Sequence, residues 1–334
     1  MCHKQFLALL LGLAASACST VADQSVTERS LALEVRNDIR DHGGNLWAGW
    51  PTDPRAVLLV LPMGETLFCA PATAGFEPIL RTPAPGCIEQ QRGETLPPDI
   101  AAPVAVGGNT VAASIGTTAA LETEPAYWRL TLAHELFHAF LQNDTARREK
   151  VSRVEGRLFD ALVASGISPL DYPFPYAKTS SKQAFSAMSD AALTFLAAET
   201  DLEKRRAADR YITARSKASQ RFEPEDWEYY EYQASEEGVA RWTEIRFGEL
   251  AGEAEPELAH AAADARAGLA TSLRSIEQTG LETWKRNAFY VFGAIEAEIL
   301  DRFSSNWRIT YRSEPLMLGA MLDDMQPSLR ESVD

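Results

Sequence analysis

The chain has 334 residues, 46% apolar and 24% charged, the balance of an ordinary globular protein long enough for one large core or two joined subdomains. A net charge of −15 repels phosphate and argues against nucleic acid as a partner. After the N-terminus the longest apolar stretch, Ala56 to Met63, is only strand-sized, so no transmembrane helix is expected.

In chain order, residues 1–17 read as an export signal: Lys4 is followed by the apolar run Phe6 to Ala17 and then Cys18. Ala15-Ser16-Ala17 satisfies the small-residue rule for ordinary cleavage, and with Cys18 it resembles the lipobox of bacterial lipoproteins. Both readings start the mature chain at Cys18, with lipidation of Cys18 or simple cleavage left open. Loss of Lys4 takes the charge from −15 to −16. If Cys18 carries lipid, Cys69 and Cys87 can close a disulfide in an oxidising compartment; the other reading is two unpaired core thiols. The expected location is the bacterial cell envelope, as a periplasm-facing lipoprotein or a secreted protein, touching a membrane only through that N-terminal anchor.

Residues 18–30 are polar and read as a tether. Residues 31–120, rich in Pro and Gly, hold short β-type runs such as Ala56 to Leu61 and Val104 to Val106, and read as a small, mainly β subdomain. Residues 121–334 change to long helical segments. The expected fold class is therefore α+β. Within the helical part, the basic stretch Glu203 to Arg221 and the acidic stretch Glu223 to Glu237 read as solvated faces that attract each other.

The chemistry concentrates in His134-Glu-Leu-Phe-His138, an H-E-x-x-H motif. Residues four apart share a helix face, so both imidazoles can reach one ion. Glu135 is offset around the helix, where a general base beside a metal-activated water is needed. Pro125 suits a first helical position, and the pattern runs on to Gln142-Asn143-Asp144. Apolar residues cover most of this helix and predict its burial, leaving Thr131, His134, Glu135, His138 and Gln142 as one polar stripe in need of a partner. A third ligand is expected, with zinc as the ion. Asp144, ten residues after His134, is one candidate, but Leu141 replaces the glycine that turns the chain in that pattern.

Another candidate lies in Ser235-Glu-Glu-Gly-Val-Ala-Arg-Trp-Thr-Glu244, on a helix begun by Pro224. H-E-x-x-H followed by E-G-x-A-x-x-x-E resembles the gluzincin metallopeptidases, the group that includes thermolysin and the zinc aminopeptidases. The resemblance implies a zincin-like helical catalytic subdomain, with Glu237 as the third ligand and Glu244 as the carboxylate that orients a ligand. Glu237 and Glu244, about two turns apart, share a face. Gly238 in mid-helix is explained by close approach of the two active-site helices.

Tyr290-Val-Phe-Gly293 is similar to the Y-x-x-G of those aminopeptidases, which implies that Tyr290 donates to the oxyanion. Gly107-Gly-Asn-Thr110 stands where they carry G-x-M-E-N, whose glutamate grips a free amino terminus and is missing here. Gly107 to Ala113 reads as a β-turn and strand or as an edge strand for an extended peptide. The expected function is an exported zinc-dependent peptidase acting on a peptide or protein substrate. Its alternatives are a non-catalytic envelope lipoprotein built on the same scaffold and a serine hydrolase using Ser114 in Ala112-Ala-Ser-Ile-Gly116.

Overall fold

A computed structural model describes residues 21–331 except 53–55, 80–87, 94–95 and 109. The order of elements is α1 (Val21–Leu46), β1 (Val57–Leu61), β2 (Gly64–Phe68), β3 (Glu77–Pro78), β4 (Glu89–Arg92), β5 (Ala101–Gly107) and β6 (Thr110–Gly116), all before the metal-motif helix. Eleven helices follow: α2 (Pro125–Asn143), α3 (Thr145–Ala164), α4 (Thr179–Ala197), α5 (Asp201–Ser219), α6 (Pro224–Gln233), α7 (Val239–Ala251), α8 (Pro256–Thr279), α9 (Leu281–Trp284), α10 (Asn287–Phe303), α11 (Trp307–Ser313) and α12 (Leu318–Glu331). The fold is α+β, as the change of texture near residue 120 predicts.

The strands form a six-stranded sheet in the order β3-β4-β2-β1-β6-β5. β1 pairs antiparallel with β2 and parallel with β6, and β5 closes one edge antiparallel to β6. Alternation along β1 sends Val57 and Leu59 into the core shared with the helices, and Leu58 into a smaller one with Leu67, Val106 and Ala112. The strands and helices thus share one main core.

The N-terminal segment departs from the expected tether, because α1 runs through residues 21–30 and on to Leu46. Its buried residues Ala32, Val35 and Ile39 recur every three or four positions, a helical stripe that the surrounding polarity masks. Glu28 is buried and accepts from the Thr118 backbone N–H at 3.1 Å and its hydroxyl at 2.9 Å, fastening the helix to the loop after β6. Cys69 is disulfide-bonded. Cys87, its expected partner, and Cys18, with the export signal, lie outside the described residues. No described helix is long and apolar enough to cross a membrane.

α2 is buried as expected and fastened to β6 at both ends. In its first turn the Trp128 indole donates to the Gly116 carbonyl at 2.8 Å; at its end the Asn143 side chain accepts from the Val111 N–H at 2.9 Å. The polar stripe is not its only polar feature: Arg129, buried on another face, pairs with Asp38 at 2.7 Å and with Glu255. Beneath the helix, Trp47 packs on Phe137 and donates to Thr243 on α7 at 3.0 Å, so the end of α1 wedges α2 and α7 together.

Candidate metal centre

α2 presents His134 and His138 one turn apart, with Nε2 atoms 3.1 Å from each other. Oε2 of Glu237 lies 3.4 Å from Nε2 of His134 and 3.6 Å from Nε2 of His138. A tetrahedral ion with ligand atoms at about 2.0–2.1 Å sets them about 3.3 Å apart, so the three atoms already mark one face of such a tetrahedron. Together these residues form a group that can hold a metal ion.

Glu237 reaches this position through a local departure from α-helical geometry. Between α6 and α7 the helix runs unbroken but takes one π turn, Ala234–Gly238. Such turns add a residue to the helical register and occur frequently at functional sites. The glycine inside it is needed for packing, although not against α2. A Cβ on Gly238 would stand 2.4 Å from Cα of Gly293, and one on Gly293 would stand 2.1 Å from the Ala234 carbonyl oxygen. Close approach is therefore made with α10, and the glycines of two separate sequence motifs are two halves of one backbone contact.

The side chains around this group orient it. Oε2 of Glu244 lies 2.7 Å from Nδ1 of His134, and Arg241 pairs with its other oxygen. With the Nδ1 proton donated to Glu244, Nε2 keeps its lone pair for an ion. Glu236, next to the ligand, is buried in an ion pair with Arg147, and Tyr311 donates to the Ser235 carbonyl at 2.8 Å, so the π turn is held from outside the ligand set.

Electrostatics mark the centre as short of positive charge. Burial opposes protonation of His134, but hydrogen bonds to Glu237 and Glu244 outweigh it and push its pKa up to about 10. Burial likewise disfavours ionised Glu237, yet the His138 and His134 imidazoles hold it well below the usual carboxylate range. His134 thus takes a proton among three acids where a cation would serve. Glu135 differs: burial raises its pKa against the pull of both imidazoles, and its buried Oε2 has no hydrogen-bond partner. A poised carboxylate of this kind can exchange a proton.

Tyr290 stands on α10, one turn before Gly293. Its hydroxyl accepts from Arg286, which leaves its own proton to donate. Burial raises its pKa, and the carboxylates of Glu237 and Glu135 raise it further, so the hydroxyl lies within the field of the centre.

The remaining candidates fall elsewhere. Asp144 caps α3 through the Arg147 N–H at 3.2 Å, and Ser114 is buried in β6, donating to the Ala102 carbonyl at 2.6 Å. The turn after β5 takes the left-handed Gly108 (φ 57°), β6 from Thr110 lies inside the sheet, and the edge belongs to β5. Arg241 and Arg286 escaped the sequence reading, although each stands three or four residues before a partner it touches, Glu244 and Tyr290. Comparison with family models, with curated proteins and with solved structures finds no match to this chain.

Proposed function

We propose that this protein is a zinc-dependent hydrolase, a peptidase of gluzincin type, exported to the cell envelope. Two imidazoles and one carboxylate at tetrahedral spacing suit zinc, with a fourth position left for water. Zinc, if held by His134, His138 and Glu237, would acidify a water and polarise the substrate carbonyl. The observation that carries the hydrolytic reading is the place of Glu135, a buried carboxylate next to His134 that is not one of the three grouped residues and whose Oε2 has no partner among the described residues. A site built only to bind metal gains nothing from a buried carboxylate left without a partner.

In this reading Glu135 takes a proton from water as its oxygen attacks the carbonyl carbon. It returns that proton to the leaving amine as the C–N bond breaks. Tyr290 donates its free proton to the oxyanion that forms in between. Glu244 keeps the His134 ring in the tautomer that ligates. β5, paired along one side only among the described strands and packed beside α2, supports an extended peptide lying along the sheet edge.

Glu135→Gln tests this directly. It should keep stoichiometric zinc by elemental analysis and lower peptide hydrolysis by about 10²–10⁴-fold, the usual contribution of a general base. Stoichiometric zinc in the wild type without turnover of any peptide in a broad screen would favour a non-catalytic envelope lipoprotein. Turnover that survives in Glu135→Gln removes Glu135 from the mechanism.

A further inference from the structure

Buried arginines in this acidic chain are paired with acids: Arg129 with Asp38 and Glu255, Arg147 with Glu236, Arg215 with Glu231 and Glu296. Arg286 is different. It is half-buried at the start of α10, and its guanidinium donates to the Tyr290 hydroxyl and lies 5.8 Å from that ring's centroid. Among the described residues no carboxylate lies within ion-pair distance of it. Its charge instead reaches the hydroxyls of Tyr176, Tyr229 and Tyr290, which cannot neutralise it at ordinary pH.

The bond to Tyr290 takes one of the five guanidinium donors, and among the described residues no other hydrogen-bond acceptor takes the rest. A planar fork of donors matches a carboxylate. Tyr290, already assigned to the oxyanion, gives the scale: the guanidinium bonds its hydroxyl directly, so a carboxylate on the far edge of the fork lies about two hydrogen-bond lengths and the width of the fork away, on the order of 6–8 Å, and an extended peptide advances about 3.3–3.6 Å per residue. The anion would therefore lie one or two residues from the carbonyl that Tyr290 serves.

We infer that Arg286 recognises a substrate carboxylate one or two residues from the bond that is cut, either the free C-terminus or an Asp or Glu side chain. This rests on the hydrolase reading above for its geometry, but its test does not require turnover. The probes are acetyl-tetraalanine with a free carboxylate, the same peptide as its C-terminal amide, and the amidated peptide acetyl-Ala-Ala-Asp-Ala. Each is titrated calorimetrically into zinc-loaded Glu135→Gln protein, and into the same protein carrying Arg286→Gln or Arg286→Lys. One or both carboxylate peptides should bind about 10- to 100-fold more tightly than the neutral amide, the range of a charged hydrogen bond.

That preference should vanish in Arg286→Gln and survive in part in Arg286→Lys, and which carboxylate peptide gains shows whether a chain end or a side chain is read. Equal binding of all three peptides, no binding of any, or a preference untouched by Arg286→Gln overturns the assignment. In wild-type assays, hydrolysis without a carboxylate preference sinks the role of Arg286 and leaves the hydrolase reading standing. A binding preference in a protein that turns over nothing does the reverse.

Discussion

Two clusters of buried and half-buried acids lie in the helical part of this protein, and they are resolved in different ways. Around Glu296, wholly buried on α10, one carboxylate oxygen accepts from Tyr211 at 3.0 Å, from Tyr230 at 2.6 Å and from Arg215 at 2.8 Å, and Arg215 also pairs with Glu231. A permanent guanidinium supplies the charge there. Around Glu135, Glu237 and Glu244 one guanidinium, Arg241, pairs with Glu244, while Glu237 faces two imidazoles, which carry charge only when protonated and ligate only when they are not. The first cluster carries its own permanent cation at the centre, although Oε2 of Glu296 has no partner among the described residues; the second, completed by histidines, leaves room for a cation from outside.

The sharpest way to break this contrast is to open the first cluster. Arg215→Met strands the Glu296 charge in the core and should destabilise the fold by about 3–5 kcal/mol. Denaturant unfolding reads the loss, while zinc content of the protein that remains folded should not change. A change in metal stoichiometry would mean that the two clusters are coupled and the contrast is false. A smaller effect sharpens the other side. Glu244→Gln should weaken metal affinity about 10- to 100-fold, the usual effect of removing a carboxylate that orients a ligating histidine. Competition with a chromophoric chelator measures it, and an unchanged affinity would remove Glu244 from the centre.

The gentlest test uses protons alone. The folded, metal-free pKa of His134 lies at about 10, above its ordinary 6.5. Its raised value contributes stability that is full below about 6.5 and is lost as pH rises through about 10. Zinc must displace that proton, so metal affinity should climb over the same window and proton release should accompany loading at pH 8. Calorimetry in two buffers of different ionisation enthalpy counts the proton; loading at pH 8 without release would contradict the charge-poor picture.

Legibility of this molecule in its sequence followed the locality of the signals. The helix around His134 could be read because its polar stripe, its Pro125 start and its two-histidine spacing all lie within twenty consecutive residues. Glu237 and Glu244 were reachable only through resemblance, since no local rule says that a carboxylate about a hundred residues away will face a given imidazole. The N-terminal helix was misread for a related reason. The stripe of Ala32, Val35 and Ile39 is sparse, and residues such as Glu28 and Arg29, polar enough to suggest a solvated tether, are held by Thr118 and Glu89. Gly238 stands out in the sequence as a mid-helix glycine that asks for a close neighbour, but which neighbour it admits depends on how three helices cross, and that is tertiary information.

The Gly238–Gly293 contact also limits how the centre can breathe. Where two backbones meet with no side chains between them, there is no compliant layer to shear, and the ligand-bearing turn moves with the Tyr290 helix as one rigid jaw. Under the proposed function, any widening for a peptide to enter or leave then falls to elements other than these two helices.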